Sequence, residues 1–131
     1  MNRRVLLVFS SLIALSLIVS GCVVLALGGA AAGTGAYVFA SGKLSFTTGH
    51  DISECHSAAL SAFKDLGITV ASDATDQLSG RIKGETSTGE SVSVDLEPQP
   101  PLNTWIEIRV GFWGDRSKAT KVADAIRRHL R

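Results

Sequence analysis

The spacing of hydrophobic positions divides the chain near residue 43. No Asp, Glu, Lys or Arg occurs between Val5 and Gly42. After Gly42, apolar and polar residues alternate in short runs, which is typical of strands with one buried face. In two further stretches the apolar residues recur every three or four positions, which indicates amphipathic helices. The pattern therefore predicts a long apolar N-terminal stretch followed by one small mixed domain.

Alternation predicts five strands in that domain. They cover residues 43–48, 68–72, 78–85, 91–97 and 105–113, and the first strand could begin as early as Ala36. In the last strand, Ile106, Ile108, Val110 and Phe112 share one face, and Trp105, Glu107, Arg109, Gly111 and Trp113 share the other. Proline lacks the N–H that a ladder needs, so the prolines at 98, 100 and 101 are expected to end the fourth strand.

Two helices are predicted from their caps and their apolar stripes. Asp51 and Glu54 have the spacing of a capping box, Gly67 suits a left-handed helix end, and Asp115 is placed to cap the second helix. The stripes consist of Ile52, Cys55, Ala59, Phe63 and Leu66 in the first helix, and of Ala119, Val122, Ile126 and Leu130 in the second.

The predicted order is β-α-β-β-β-β-α. The simplest arrangement is an α+β fold in which two helices pack on one face of a single, mostly antiparallel sheet. The open face would carry Arg81, Lys83, Glu85, Asp95, Glu97, Glu107 and Arg109. Gly80, Gly84 and Ala71 on the strands could leave space for a small apolar ligand beneath the helices. The chain is thus divided into residues 1–21, 22–42 and 43–131.

The first 22 residues have the layout of a lipoprotein signal. Arg3 and Arg4 precede an apolar block, and Val19-Ser20-Gly21-Cys22 follows it. This resembles the lipobox of bacterial lipoproteins, which implies cleavage after Gly21 and attachment of palmitate-type acyl chains to Cys22. Two or three chains would anchor the protein stably, whereas one chain would be marginal. The alternative is an uncleaved signal anchor that contains a chance cysteine.

Residues 22–42 form the predicted membrane-proximal segment, which is rich in Gly and Ala. Residues 23–40 could insert beside the acyl chains, act as a tether or pack on the domain. Position 23 is Val. In enteric-type bacteria an Asp there resembles an inner-membrane retention signal, so Val favours the outer membrane facing the periplasm, provided that the source is Gram-negative.

Composition excludes several classes of function. Removal of residues 1–21 takes away two of the 13 basic residues and none of the 12 acidic ones, so the mature chain is near neutral and has no basic field for nucleic acid. The glycines at 28, 29, 33 and 35 lack the Lys-Ser/Thr that ends a phosphate loop. No cofactor, metal site or catalytic set is predicted, and a non-enzymatic protein is expected.

Cys55 lies beside His56, with His50 and Glu54 close in sequence, a grouping that would suit a metal or thiol site. Adjacent helical residues point about 100° apart, so Cys55 and His56 cannot form a catalytic pair. Cys55 also lies on the apolar stripe, where burial would raise its pKa and make the thiol inert. A structural core cysteine is therefore predicted.

Trp105, Arg109 and Trp113 are the candidate interaction residues. On the polar face of the last predicted strand, two aromatic rings around a cation could dock a partner or touch lipid headgroups. The alternative is purely structural. Trp113 would then pack at the strand end, and Trp105 would cover the loop at residues 98–102.

The chain resembles a family of small Gly/Ala-rich Gram-negative lipoproteins grouped as a domain of unknown function. The resemblance rests on Gly21-Cys22, the Gly/Ala run through Ala36-Tyr37-Val38, residues 63–68, residues 106–111, and Gly114-Asp115. It implies fold and anchoring, and no catalytic residues. The first hypothesis is an envelope lipoprotein whose domain binds an envelope protein or component, and the second is a periplasmic module for a small apolar or lipid ligand.

Overall fold

The computed structural model describes residues 36–131, which contain two helices and one six-stranded sheet. In chain order these elements are β1 (Val38–Ala40), β2 (Lys43–Thr48), α1 (Ile52–Asp65), β3 (Thr69–Thr75), β4 (Gly80–Glu85), β5 (Ser91–Gln99), β6 (Asn103–Val110) and α2 (Arg116–His129). The strands lie in the order β1-β2-β6-β5-β4-β3, and every neighbouring pair is antiparallel. Both helices pack on one face, so the predicted α+β fold is confirmed.

The core lies between the sheet and the helices, with β6 near its centre. Thr104, Ile106, Ile108 and Val110 of β6 are buried beneath the helices, and the residues between them lie on the opposite face. The helices contribute mainly small side chains, which lets them approach the sheet closely: Cys55, Ala58, Ala59, Ala62 and Phe63 from α1, and Ala119, Val122, Ala123, Ala125 and Ile126 from α2. Burial of each large apolar side chain in this core contributes about 1.5–3 kcal/mol to the stability of the folded domain.

Both helices begin where the sequence predicts. The Asp51 and Asp115 carboxylates accept hydrogen bonds from backbone amides of the first helical turn, at 2.8 and 3.0 Å. These amides have no partner inside a helix, so the caps stabilise the helix ends. The Glu54 carboxylate does not complete the capping box and instead lies 2.9 Å from His50 Nδ1. Gly67 follows α1 with a φ of 68°, as expected for a left-handed helix end.

The sheet begins earlier than the alternation predicts. Residues 43–48 form the expected strand, but β1 precedes it and pairs Phe39 with Leu44. The connecting turn places Ser41 and Gly42 at positive φ. Because β1 lies within residues 22–42, part of the stretch assigned to the membrane-proximal segment belongs to the folded sheet.

Two strand ends also differ from the prediction. β3 continues to Thr75 instead of fading near residue 72, and a bulge between Val70 and Ser72 shifts its register on β4. β5 continues through Pro98, which pairs with Thr104, and the two later prolines occupy the following turn. Both strands are longer than predicted because pairing with a neighbouring strand extends past the residues that alternate.

The last strand is shorter than predicted. β6 ends at Val110, and Gly111 turns the chain with a φ of 75°. Phe112 was predicted on the buried face, but its side chain is 80% exposed. Trp113, which would have packed at the strand end in the structural alternative, is 86% exposed.

Neighbouring side chains fill the space that glycines were expected to leave beneath the helices. A Cβ placed on Gly84 would lie 2.7 Å from Ile68 Cγ2 and 2.9 Å from Phe63 Cε2. A Cβ on Gly80 would lie 3.1 Å from two atoms of Leu96. Ala71 is exposed on the edge strand and borders no core space. The predicted cavity at these three positions is therefore wrong.

The contacts at Gly84 predict that Gly84→Ala destabilises the domain by about 1–3 kcal/mol, because the added methyl group overpacks a filled core. Urea unfolding followed by circular dichroism measures the loss. Gly49→Ala is the matched control, since its Cβ would meet no atom closer than Asn103 Oδ1 at 3.9 Å. The free energy of unfolding of that variant should be unchanged or should rise by up to about 1 kcal/mol. Equal stability of the two variants would contradict the packing described here.

Candidate interaction surfaces

The cysteine and histidine residues around the start of α1 point in different directions. Cys55 is fully buried in the core, and burial raises the pKa of its thiol to about 11. His56 lies on the surface, where its Nε2 is 2.7 Å from Asp73 of β3. His50 pairs instead with Glu54. Among residues 36–131, no three His, Cys, Asp or Glu side chains are grouped so that they could hold a metal ion.

The pair between His56 and Asp73 joins α1 to the exposed edge strand β3. Burial alone would raise the pKa of Asp73, but hydrogen bonds from His56 and Thr75 hold it below its ordinary value. Thr75 Oγ1 donates to Asp73 Oδ1 at 2.9 Å. These hydrogen bonds hold β3, an edge strand whose side chains are mostly exposed, against α1. A structural role therefore accounts for His56.

The open face of the sheet carries opposite charges on neighbouring strands, as predicted. Asp95 of β5 and Glu107 of β6 are directly paired across the two strands. Like charges in that position repel each other. Arg81 of β4 pairs with Asp95, and Lys43 Nζ of β2 lies 2.6 Å from Glu107. The two carboxylates on the central strands β5 and β6 are thus neutralised by cations on the flanking strands β4 and β2.

A hollow of about 650 Å³ lies over these charges on the solvent side of the sheet. Trp105 and the two ion pairs line it, together with Leu78 from the turn between β3 and β4. Its size falls within the range of small-molecule sites, but such sites are mostly apolar, whereas this hollow is largely polar. An aromatic ring among charged groups is better suited to a polar peptide or protein surface.

The candidate residues Trp105, Arg109 and Trp113 do not form one strip on a strand. Trp105 and Arg109 lie half-buried on the open face of β6, as predicted. Trp113 lies beyond the strand, in the turn that leads to α2. The Arg109 Nε atom is buried and has no hydrogen-bond partner within residues 36–131. The structure therefore separates a surface around Trp105 from a second one around Trp113.

Phe112 and Trp113 form an exposed aromatic tip, which is the name used below for these two residues. Their rings pack edge to face with centroids 5.0 Å apart. The tip is bounded by Gly111 and Gly114, which have φ values of 75° and 83°. The alternation that placed Phe112 in the core could not locate this turn, but the two flanking glycines were a signal for it.

Tyr37 fastens the beginning of the described chain to α2, a contact that the sequence did not predict. Its hydroxyl donates to Asp124 Oδ1 at 2.6 Å, and the Arg127 guanidinium lies 4.1 Å from its ring centroid. Burial and the hydrogen bond to Asp124 raise the pKa of Tyr37 to about 12. The ring also packs on Phe46 of β2, with centroids 5.3 Å apart.

The fold and its surfaces define a small α+β domain with one covered and one open sheet face. Neither helix within residues 36–131 is long and apolar enough to cross a membrane. Over residues 4–129 the chain matches the family model described as "Protein of unknown function (DUF3568)", and it belongs to that family. A comparison with curated proteins gives no match.

Family membership confirms the part of the predicted resemblance that concerns a domain of unknown function. The match assigns no activity, and the lipoprotein character stays a prediction. Cys22 and the cleavage position after Gly21 lie outside the described residues, as does most of the Gly/Ala-rich segment.

The burial of Cys55 predicts a protected thiol. The chain has two cysteines, so Cys22→Ala leaves Cys55 as its one thiol. A thiol reagent should react with it slowly in the folded protein and rapidly in urea. Because its pKa is raised from 9.0 to about 11, the thiol of the folded protein should still react slowly when the pH is raised to 9. Rapid reaction of the folded protein at pH 9 would contradict the described burial.

Proposed function

We propose that this protein is a lipid-anchored envelope protein whose domain is a non-enzymatic interaction module. Acyl chains on Cys22 hold it to the membrane after cleavage behind Gly21. The signal-like layout of residues 1–22 supports the anchor. Val23, in place of Asp, favours the outer membrane facing the periplasm in a Gram-negative source.

The surface around Trp105 supports the interaction role. The side chain is half-buried on the open face and lies across from Glu97 of β5 and Thr47 of β2. It borders the hollow that contains the ion pairs of Arg81 and Lys43. A partly exposed aromatic ring surrounded by polar groups is the usual composition of a protein-binding hot spot. The proposed partner is a protein of the envelope.

The ligand-binding alternative has less support. The positions expected to leave space beneath the helices are filled. An apolar hollow of about 130 Å³ does lie between the ends of the helices, bordered by Leu66, Val92, Val110 and Val122. Sites for drug-sized ligands usually measure about 300–1,000 Å³. This hollow is therefore too small for an acyl chain unless the helices separate.

The anchor predicts the mass of the protein extracted from membranes. The wild-type chain should begin at Cys22 and carry diacyl or triacyl groups, and the Cys22→Ala chain should lack them. Intact-mass spectrometry of both preparations measures this. A wild-type mass that still includes residues 1–21 would overturn the lipid anchor in favour of an uncleaved signal anchor.

The interaction surface predicts a position-dependent crosslink in the membrane-bound protein. A photo-reactive residue at position 97, beside Trp105, should capture an envelope protein. Trp105→Ala should lower the yield of crosslinked product about ten- to thirty-fold. This is the loss expected when an aromatic hot-spot side chain that contributes about 1.4–2 kcal/mol to the binding free energy is removed. A photo-reactive residue at position 121, exposed on α2, is the control for capture at random. If the two positions capture equally, or if correctly folded Trp105→Ala retains the adduct, the surface is not the binding site.

A further inference from the structure

We infer that the aromatic tip is a second membrane contact, which inserts into the headgroup region of the bilayer to which the chain is anchored. This inference rests on the proposed anchor at Cys22. The ligand is the interfacial layer of a phospholipid bilayer, and the contacting side chains are Phe112 and Trp113.

The tip exposes more aromatic surface than ordinary packing explains. Phe112 is 80% and Trp113 is 86% exposed, and the two rings shield each other only at one edge. Aromatic side chains are among the largest apolar groups that a protein can bury. Two of them side by side on a turn form a contiguous exposed apolar patch, a feature of many interaction sites.

The turn holds both rings outward in a fixed position. Gly111 N donates to Ser91 O, and Asp115 N donates to Val110 O, each at 2.8 Å. The backbone of Trp113 and Gly114 lies against Gly42, where an added Cβ on either glycine would overlap the other segment. The tip is therefore braced by β5, by the end of β6 and by the turn between β1 and β2.

The contact with Gly42 places the tip beside β1, the edge strand through which the chain enters the described domain. Tyr37 and Gly42 are five residues apart, which limits their separation to roughly 18 Å. Tyr37 immediately precedes β1, and Gly42, which contacts the tip, lies in the turn after it, so the two residues flank the same edge strand of the sheet. Thirteen residues lie between Cys22 and Ala36, and the fourteen Cα–Cα steps from one to the other span at most about 50 Å. The tip can therefore meet the bilayer while Cys22 is anchored.

The chemistry of the tip suits the headgroup region better than a protein groove. Trp combines an apolar ring with an N–H donor and is enriched at membrane–water interfaces. Arg116 follows the tip, and its guanidinium lies 5.8 Å from the Phe39 ring on the β1 edge, where an anionic headgroup would attract it. The nearby carboxylates have partners: Glu90 Oε2 lies 2.5 Å from Lys118 Nζ, and Asp115 caps α2.

Tryptophan fluorescence tests the inference in the full chain. The protein has two tryptophans, so Trp105→Phe leaves Trp113 as the sole reporter and Trp113→Phe leaves Trp105. Each variant is extracted from membranes and reconstituted into phosphatidylcholine–phosphatidylglycerol vesicles containing brominated phospholipid. Trp113 should lose emission intensity and shift to the blue, whereas Trp105 on the open sheet face should keep its emission.

A matched control separates directed insertion from random contact with the vesicle. Leu78 is 81% exposed in the turn between β3 and β4, at the opposite edge of the sheet. In a chain carrying Trp105→Phe, Trp113→Phe and Leu78→Trp, the reporter is as exposed as Trp113 but distant from the β1 edge. Its emission should be unchanged by the brominated lipid. Equal quenching at positions 78 and 113 would overturn the inference, as would unquenched Trp113.

Intact mass measured on the same preparations distinguishes this inference from the proposed anchor. A lipidated chain with unquenched Trp113 would keep the anchor and overturn the membrane-inserting tip. A chain that retains residues 1–21 but shows quenched Trp113 would support the tip and overturn lipidation. Circular dichroism of each variant verifies that the tryptophan substitutions leave the fold intact.

Discussion

Burial of one face of the sheet beneath two alanine-lined helices is the constraint on which the rest of this domain depends. A shift of one residue in the pairing of β6 would turn Ile106 and Ile108 to solvent and bring Glu107 and Arg109 into the core. The register of β2, β5 and β6 is therefore fixed by the core. That register, in turn, sets Asp95 opposite Glu107 on the other face. The outer cations Arg81 and Lys43 are a consequence of this pairing, because two adjacent carboxylates need neutralisation.

The central elements could be predicted because their sequence pattern and their burial have the same cause. β4, β5, β6 and both helices each bury one face, so apolar residues recur at the period of the element. β1 was not predicted as a separate strand because Tyr37, Val38, Phe39 and Ala40 are all apolar and show no alternation. The end of β6 was misplaced for the opposite reason: Phe112 continues the alternation by chance after Gly111 has turned the chain.

The candidate residues show the same division. The burial of Cys55 followed from a local helical stripe, and it was confirmed. The separation of Trp113 from Trp105 depends on a turn that contacts a hairpin about 70 residues earlier in the chain, and no local pattern reports such a contact. The filling of Gly84 by Ile68 and Phe63 is likewise a packing outcome between distant segments. Sequence patterns predict what each element buries, whereas tertiary contacts decide what remains exposed.

The contact of Tyr37 with α2 has a mechanical consequence. Tension on the chain that precedes the domain is applied at Tyr37, next to a strand of only three residues. Without this contact, the load would peel β1 from β2 one hydrogen-bonded pair at a time. With it, the Tyr37 hydroxyl and the Arg127 guanidinium transfer the load to a helix whose other face is buried in the core. Pulling from the N-terminal side therefore loads the Tyr37 contact before it loads the pairing of β1 with β2.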